Sequence, residues 1–227
     1  MRPWNKGLTK ETDERVRRYV EKVSKTRRGV GIIKPLLHPS KDLAYILGVL
    51  KGDGWAGYIR GRGTGLIELK NKEKAFALEF AEALKKIGLH PRIRFSKKLG
   101  SKGVWVVSAN SRTFVDWYRA LSLQDLEKIV QGYEGDFIRG FYESEGSMAR
   151  PPHSPQIHIY NTDLELLDFV RNLLQKMGFK PKIALARKGS DRQKPCYQLY
   201  FCGRSGVERF LKEVRPIIKV ITCPNAS

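Results

Sequence analysis

Two carboxylates occupy corresponding places in the chain, each after a short apolar segment and each followed by a glycine. Asp53 lies in LGVLKGDG (47–54), and Glu145 lies in RGFYESEG (139–146). A carboxylate at the C-terminus of a helix faces the negative end of the helix dipole and is disfavoured there. A divalent cation would offset this cost, because Mg²⁺ prefers carboxylate oxygens, carbonyl oxygens and water as ligands. We therefore predict that Asp53 and Glu145 bind a divalent metal.

The segments that precede these acids are predicted to be short helices that pack against each other. Gly48 and Gly52 stand four residues apart, and Gly140 and Ser144 have the same spacing. Small residues at this interval leave one helix face nearly flush with its backbone, so two such helices can approach closely. This packing would bring the acids together, with Gly52 and Ser144 as further metal ligands. A turn explains either acid alone, but the equivalent placement of both favours a functional pair.

Both segments belong to an internal repeat. The stretch IELKNKEKAFALEFAEALKKIGLHPRI begins at Ile67, and it aligns without a gap with IHIYNTDLELLDFVRNLLQKMGFKPKI, which begins at Ile157. The chain is therefore predicted to contain two copies of one unit of about ninety residues. A repeat of this kind determines the architecture, because each copy is expected to fold in the same way.

Each copy reads as a helix, two strands, an amphipathic helix, two strands and a final helix. The predicted helices cover 43–51, 76–87 and 111–120, then 137–144, 166–177 and 205–214. The predicted strands cover 58–62, 66–70, 92–98 and 104–108, then a less clear stretch, 156–160, 182–187 and 197–201. Gly88 and Gly178 end the amphipathic helices. This order predicts an α+β fold of two pseudo-symmetric αββαββα repeats with antiparallel, saddle-shaped sheets.

The predicted boundaries divide the chain into four parts. These are a basic N-terminal extension (1–38), repeat 1 (39–121), a linker (122–136) and repeat 2 (137–227). The extension holds eleven Lys and Arg against four acids, a local net charge of +7. Thr12 is predicted to be the N-cap of a helix in this extension.

The charge balance indicates a polyanionic partner. Lys and Arg total 43 against 23 Asp and Glu, which gives a net charge of +20 and a pI near 10.0. Nucleic acid is the first candidate for such a surface and an anionic membrane is the second. The three cysteines contain no CxxC pair, and the longest apolar run is too short to span a bilayer. We expect an intracellular protein, from an archaeal or bacterial cytoplasm or from an organelle.

The two acidic segments, taken with the repeat and the charge, resemble a known family. LAYILGVLKGDG (43–54) and FIRGFYESEG (137–146) look like the two signature helices of the LAGLIDADG family, and the resemblance covers about residues 41–216. It implies a single-chain homing endonuclease, intron-encoded and monomeric. This enzyme would make a double-strand break with short 3′ overhangs in a long DNA target. Mg²⁺ is the implied cofactor, Mn²⁺ is expected to substitute, and Ca²⁺ is expected to bind without supporting efficient cleavage.

Four further residues are candidates for the catalytic site. Asn71 and Asn161 are equivalent positions that could order water, although each could equally be a helix N-cap. Lys98 and Lys188 are also equivalent and could balance transition-state charge, although a solvated lysine explains each alone. Some relatives carry a lysine soon after the second signature acid, whereas Ser147 and Met148 follow Glu145 here. The identity of a catalytic lysine therefore stays open.

Strand alternation predicts the surface that reads DNA, since every second side chain of a strand points to the same face of a sheet. In the first copy the predicted contacts are Tyr58, Arg60, Arg62, Glu68, Lys70, Arg92, Arg94 and Ser96; in the second they are Gln156, His158, Tyr160, Lys182, Gln198 and Tyr200. Arg can read guanine and Gln can read adenine, which suits direct base readout. In the extension, Arg15, Arg18, Arg27 and Arg28 are predicted contacts, either on a DNA-binding module or on a tail that orders on DNA.

Other functional classes remain as alternatives. The same fold could serve a non-cleaving binder, either an intron RNA maturase or a transcription regulator. Degenerate binders often lose one acid, so the presence of both favours the nuclease. A zinc site at His153, His158, Cys196 and Cys202 has no common finger spacing. No His-rich pattern of an HNH nuclease is present, and no splicing blocks of an intein flank the repeats.

Overall fold

The computed structural model describes residues 7–28, 34–59, 61, 63–97, 103–149, 154–191 and 193–220, with the side chains of 23–28 excepted. The chain forms two compact units, Met1–Lys34 and Pro35–Ser227. The first unit contains helix α1 (Glu14–Arg28), and the second contains both repeats.

Helix α1 begins one residue later than a cap at Thr12 would require. The carboxylate of Asp13 accepts the backbone N–H groups of Arg15 at 2.8 Å and Val16 at 3.3 Å. The Thr12 hydroxyl instead accepts the N–H of Thr9 at 3.0 Å, within the preceding turn. The prediction of Thr12 as the N-cap is therefore wrong. Asp13 satisfies the free N–H groups of the first turn and also places a negative charge at the positive end of the helix dipole.

The second unit contains two αββαββα copies with one further helix between them. The first copy consists of α2 (Lys41–Lys51), β1 (Gly54–Tyr58), β2 (Gly65–Asn71), α3 (Lys74–Lys86), β3 (Arg92–Ser96), β4 (Val104–Asn110) and α4 (Arg112–Ala120). Helix α5 (Leu123–Val130) follows. The second copy consists of α6 (Glu134–Glu145), β5 (Gly146–Ala149), β6 (Gln156–Asn161), α7 (Leu164–Lys176), β7 (Lys182–Arg187), β8 (Cys196–Cys202) and α8 (Arg204–Val214). The predicted α+β fold in two repeats is confirmed.

Each copy forms one four-stranded antiparallel sheet. The strand orders are β1-β2-β4-β3 and β5-β6-β8-β7, so the two sheets have the same topology. In the first sheet Ile67 and Leu69 are fully buried on the face that packs against the helices. The intervening residues of the same strand point to the opposite face. We call that second face the open face of each sheet.

The first strand of the first sheet differs from the prediction. It was expected at 58–62, whereas β1 covers Gly54–Tyr58. Gly61 and Gly63 have φ values of +76° and +57°, in the left-handed region that favours glycine. The N–H of Ile59 donates to the carbonyl of Thr64 at 3.1 Å, which closes the connection between β1 and β2. The glycines therefore mark a turn and not the end of a strand.

The segment predicted to be a linker, 122–136, contains a helix. The hydroxyl of Ser122 accepts the N–H of Asp125 at 3.1 Å, and the Asp125 carboxylate accepts the N–H of Ser122 at 3.2 Å. This reciprocal capping box starts α5. Leu126 and Val130 of this helix are fully buried. The connection between the repeats is therefore part of the folded core.

The two signature helices, α2 and α6, pack against each other through their small residues. A Cβ atom added to Gly48 would lie 2.1 Å from the carbonyl oxygen of Phe137, and one added to Gly140 would lie 2.3 Å from the carbonyl oxygen of Tyr45. Both distances are far below van der Waals contact. All eight residues of α2 from Leu43 to Leu50 are buried, because this helix has neighbours on every side. The predicted close approach of the two helices is confirmed.

Candidate active site at the helix interface

The two acids lie at the adjoining C-terminal ends of α2 and α6. A Cβ atom added to Gly52 would lie 2.4 Å from Cβ of Ser144 and 3.2 Å from Cγ of Glu145. The residue before Asp53 is therefore in direct contact with the end of α6. This contact explains why a glycine is needed at position 52, since any side chain would separate the two helix ends. The predicted juxtaposition of Asp53 and Glu145 follows from this packing.

The electrostatic setting disfavours the ionised form of both carboxyls. Burial and, to a smaller degree, repulsion from Asp53 raise the pKa of Glu145 to about 6, although the positive charge of Lys219 opposes the shift. Burial also raises the pKa of Asp53, against the opposing effects of Lys219 and a hydrogen bond from Asn71. Two adjacent carboxyls with raised pKa values in one cleft are typical of a functional site.

The amide of Asn71 bridges Asp53 to the start of the next helix. Its Nδ2 donates to Oδ2 of Asp53 at 3.2 Å, and its Oδ1 accepts the N–H of Glu73 at 2.9 Å. Asn161 accepts the N–H of Asp163 at 2.9 Å in the same way. The N-cap residues of α3 and α7 are Glu73 and Asp163, so the alternative that the asparagines are themselves N-caps is wrong. The structure brings Asn71 to the acids as a positioning group for Asp53.

Lys219 is the residue at this site that the sequence reasoning missed. Its ammonium group donates to the carbonyl oxygen of Ser144 and interacts electrostatically with Asp53 and Glu145. Burial lowers the pKa of Lys219, and attraction to the acids opposes this change. The hydroxyl of Tyr142 donates to the backbone carbonyl of Lys219 at 3.0 Å, which fixes the backbone beside α6. The site therefore contains a positively charged side chain beside the two carboxylates.

Of the two lysines predicted from the repeat, the structure describes only Lys188, and it does not place that residue at this centre. Lys98 lies outside the described residues. Lys188 is exposed and follows β7, which is the edge strand opposite β5 in the second sheet. Three strand spacings of about 4.8 Å separate those edges by about 14 Å, and β5 begins directly after Glu145. The structure therefore does not support Lys188 as a partner of the two acids.

The donor set fits a hard divalent cation that also binds a substrate oxygen. Among the described residues no group of three or more His, Cys, Asp and Glu side chains could hold a metal ion. Mg²⁺ needs no such cage, because one or two carboxylates with water and phosphate oxygens suffice. Asp53, Glu145 and the backbone carbonyl of Gly52 would supply the protein ligands. The carbonyl of Ser144, predicted as a further ligand, accepts the hydrogen bond from Lys219 instead.

The open face of the first sheet carries most of the polar side chains predicted there. Strand register places Glu68 opposite Ser108, and Arg92 opposite the same serine. The side chains that share this face are Glu68, Lys70, Arg92, Arg94 and Ser96. Trp55 pairs with Glu68 in β1, is 46% exposed and was not singled out in the sequence. Arg60 and Arg62 lie outside the described residues.

Tyr58 does not belong to the open face. It pairs with Gly65 in the register that also pairs Ala56 with the buried Ile67, so its side chain points to the helical layer. There its hydroxyl donates to the carboxylate of Asp116 in α4, and the Arg119 guanidinium lies 5.9 Å from its ring centre. The prediction that Tyr58 shares the DNA-reading face is therefore wrong, because the register of β1 with β2 turns its side chain to the helical layer.

The open face of the second sheet is aromatic and amide-rich. His158 pairs with Tyr200, Tyr160 pairs with Gln198, and Lys182 pairs with Tyr200, which places all five side chains on one face. Gln156 shares this face by alternation. The amide of Gln198 is hydrogen-bonded to the ring of His158, and that ring stacks on Tyr160 at 6.1 Å and on Tyr200 at 6.4 Å between centroids. These side chains share one surface, as strand alternation predicts, and their contact with DNA stays a prediction.

In the N-terminal unit the described arginines are paired with acids of their own segment. Arg15 binds Asp13 at 2.9 Å, and Arg18 binds Glu14 at 3.2 Å. All four side chains lie near the start of α1. The side chains of Arg27 and Arg28 lie outside the described residues. DNA binding by this unit stays a prediction.

One consequence of the buried acids is measurable without DNA. Because the pKa of Glu145 is raised from 4.5 to about 6, the folded state holds a proton in this window that the unfolded state has released. The free energy of unfolding of the metal-free protein should therefore fall as the pH rises through about 6. Glu145→Gln cannot ionise. The shift of the Glu145 pKa corresponds to about 2 kcal/mol of stability for a fully buried group. Because Glu145 is partly solvated, we expect Glu145→Gln to be more stable than the wild type by about 1 kcal/mol at neutral pH.

Denaturant unfolding in EDTA, followed by circular dichroism, measures this difference. It should shrink as the pH falls from about 6 and vanish well below pH 4.5, where Glu145 is protonated in both the folded and the unfolded state. Glu208→Gln, on the exposed surface of α8, is the matched control for a change of one charge and should show no such gain. A Glu145→Gln protein that is less stable than the wild type at neutral pH would contradict the burial argument.

Comparison with known proteins places the fold among LAGLIDADG proteins. The family model described as "LAGLIDADG-like domain" matches residues 40–121 and 133–215. An uncharacterized protein of the archaeon Methanocaldococcus jannaschii, MJ0398, is 36% identical over 154 residues, which are 67% of this chain and 54% of that protein. The chain spans about half the length of the curated relatives it matches.

Two kinds of solved structure have the same fold at low sequence identity. The homing endonuclease I-DmoI, in complex with DNA and Mn, matches with a TM-score of 0.55 and 18% identity over 77% of this chain and 96% of that one. The N-terminal LAGLIDADG domain of DUF199/WhiA matches with a TM-score of 0.53 and 18% identity over 81% and 87%. Within the described part of the chain, no helix is long and apolar enough to cross a membrane.

Proposed function

The chain belongs to the LAGLIDADG-like domain family, and on this premise we propose that it is a site-specific homing endonuclease. It would make a metal-dependent double-strand break with short 3′ overhangs in a long DNA target. A single chain carries both repeats, so it would cover both half-sites of the target as a monomer. The likeness to I-DmoI bound to DNA supports the geometry of this proposal through the fold.

The observation that carries the proposal is the pairing of Asp53 and Glu145 at the joined ends of α2 and α6. Both signature acids are retained, and burial disfavours the ionised form of each when no cation is bound, with repulsion from Asp53 adding to this effect at Glu145. Two partly buried carboxylates side by side are electrostatically unfavourable, and binding to nucleic acid alone does not require them. A hydrolase that uses divalent metal ions does require carboxylates at this place, because they bind the metal.

The reaction is hydrolysis of one phosphodiester bond in each strand. The oxygen of water forms a bond to phosphorus as one ester P–O bond breaks, and the leaving oxygen receives a proton while the attacking water loses one. Bound Mg²⁺ would lower the pKa of water and offset negative charge on the phosphate. Asp53 and Glu145 would hold the ions from opposite repeats, and Asn71 would orient Asp53 through its hydrogen bond.

Mg²⁺ is the proposed ion, with Mn²⁺ as a substitute and Ca²⁺ as an ion that binds without efficient cleavage. Oxygen-only ligands with incomplete protein coordination suit these hard cations. I-DmoI or its variants have been crystallised with target DNA together with Mn, Mg or Ca.

The two open faces are proposed to read the DNA major groove. The first is rich in arginine and lysine, which suits guanine and phosphate, whereas the second combines amide, imidazole and aromatic groups. The remaining surface has a large positive excess, since the whole chain carries +20. Phosphate contacts from these cations would supply most of the affinity and its salt dependence.

Replacing one arginine of the open face tests this recognition surface. Arg94→Ala should weaken binding to the target duplex by about 1–3 kcal/mol, because it removes a charged contact to a base or a phosphate. Arg204→Ala is the matched control, because Arg204 is an exposed arginine at the start of α8, on the helical side of the second repeat. Fluorescence anisotropy at fixed salt measures both. Equal affinity losses for the two variants would contradict the assignment of the open face.

The function itself is tested on duplex DNA of unknown sequence. A randomised duplex library is selected for binding in Ca²⁺, and the enriched duplex is then transferred into Mg²⁺. The proposal expects cleavage of both strands in Mg²⁺ and none in EDTA. Enrichment of a sequence that stays intact in Mg²⁺ and Mn²⁺ would instead assign the chain to the non-cleaving binders, whether maturase or regulator.

A further inference from the structure

The residues that follow α8 form a short segment that returns to the acid pair. We call residues 215–220 the C-terminal strap. Arg215, with φ of 52°, ends α8, and its N–H donates to the carbonyl of Leu211 at 3.1 Å. Ile218 is 8% exposed and anchors the strap in the core. All of the strap except Arg215 lies after the residues 133–215 that match the family model.

A buried carboxylate of α6 holds the strap in place. Glu143 is fully buried, and its Oε1 accepts the backbone N–H of Ile217 at 2.8 Å. Tyr45 of α2 donates to the other oxygen of Glu143 at 2.7 Å, and Arg139 donates to Oε1 at 3.3 Å. A buried charge with three donors is strongly oriented, because losing a partner would leave it unsatisfied. Glu143 thereby fixes the strap beside α6, at a point only two residues before Glu145 in that helix.

The strap carries Lys219 in an unusual backbone conformation. Its φ is 60°, in the left-handed region that residues other than glycine seldom adopt. Residues held in this region often have a functional reason, since the surrounding structure must maintain the conformation. Here the hydroxyl of Tyr142 donates to the Lys219 carbonyl, and the Lys219 ammonium donates to the carbonyl of Ser144. The conformation therefore directs the cation toward the end of α6.

On these observations, and on the function proposed above, we propose that Lys219 is the catalytic lysine of this nuclease. Its ammonium lies at the two acids and would face the scissile phosphate when DNA enters. It would offset the negative charge that develops on the phosphate and on the leaving oxygen during hydrolysis. Met148, which occupies the region after the second acid where some relatives carry a lysine, cannot supply this charge. The strap supplies it from another part of the chain.

The strap has no counterpart in the first repeat. After α4 the chain turns at Leu121 and enters the capping box of α5, so no lysine returns to Asp53 from that side. Among the described residues the centre is therefore asymmetric, with one half-buried cation, Lys219, beside two carboxylates.

Single-turnover cleavage of the selected duplex in Mg²⁺ tests the proposal, with duplex affinity and thermal stability measured in parallel. Lys219→Met should slow cleavage about 100-fold and change duplex affinity by less than about threefold, as expected for loss of one transition-state contact. Lys219→Gln keeps a donor for the Ser144 carbonyl but has no charge, so it should be as slow as Lys219→Met. Lys219→Arg restores the charge and should recover at least about tenfold of the lost rate.

Control and contrary outcomes separate this proposal from the function on which it rests. Lys212→Met removes an exposed lysine of α8 and should cleave like the wild type. Cleavage by Lys219→Met within about threefold of the wild type would overturn the role of Lys219 and leave the nuclease standing. Full rescue by Lys219→Gln would reduce the residue to a structural tie. A wild-type protein that binds the duplex without cutting it would overturn both proposals.

Discussion

Asp53→Asn and Glu145→Gln are each expected to abolish the double-strand break, with cleavage rates reduced on the order of 10³-fold or more. Each substitution keeps the shape of the side chain and removes the negative charge that would hold a divalent cation. Because the two acids come from different repeats and meet at one interface, neither can be replaced by the other. Initial rates in Mg²⁺ on the selected duplex measure the effect.

The variants should bind DNA at least as well as the wild type. Each removes a negative charge that would lie near phosphate, so affinity measured in EDTA should stay the same or rise. Glu208→Gln, an exposed acid of α8, is the matched control and should retain full cleavage. Retention of double-strand cleavage by either acid variant would show that the chemistry lies elsewhere in the molecule.

The second large effect is expected at the glycines of the helix interface. Gly48→Ala and Gly140→Ala should each destabilise the protein by about 3 kcal/mol or more, because the new Cβ would meet a backbone carbonyl oxygen at 2.1 Å or 2.3 Å. Backbone atoms cannot rotate away as a side chain can, so α2 and α6 would have to separate. Separation of these helices would also move Asp53 away from Glu145, so cleavage should fall as well.

The control for this prediction lies on the same helix. A Cβ atom added to Gly135, in the first turn of α6, would be 3.6 Å from Cε of Met177, an ordinary contact. Gly135→Ala should therefore be neutral or stabilising by up to about 1 kcal/mol, since alanine favours the helix. Denaturant unfolding compares the three variants. Similar stability of Gly48→Ala and Gly135→Ala would contradict the close packing of the interface.

The repeat made most of the fold predictable from sequence. Equivalent positions such as Gly88 and Gly178 both end their helices in the left-handed conformation, with φ of +84° and +80°. The same alignment located Asp53 and Glu145, because each closes a helix with small residues at the contact face. The spacing of small and apolar residues predicts these helices because the same residues form the buried face of each helix.

Some elements were missed although their signals were present. Ser122 and Asp125 have the spacing of a capping box, followed by apolar residues at helical intervals, which would have predicted α5. The glycines at 61 and 63 indicate a turn after β1, whereas the face to which Tyr58 points depends on the register of β1 with β2. Strand propensity alone misplaces β1, because the turn glycines decide where this strand ends.

Lys219 could not have been found in this way. It lies after the residues 133–215 that match the family model, belongs to no motif, and reaches the acids only because Glu143 and Tyr142 hold the strap against α6. Its environment depends on tertiary packing between segments 75 residues apart in sequence. The buried carboxylate that positions the strap, Glu143, lies two residues before Glu145, and its burial is visible only in the folded structure.

Mapping the ends that the wild-type protein produces on its selected duplex is the most direct test of the central claim. The DNA is incubated in Mg²⁺, and the 5′ and 3′ ends on both strands are sequenced. The account predicts one cut in each strand, offset by a few base pairs to leave short 3′ overhangs, with no product in EDTA. An intact duplex under saturating binding, or cuts confined to one strand, would contradict a centre in which one acid from each repeat serves each strand.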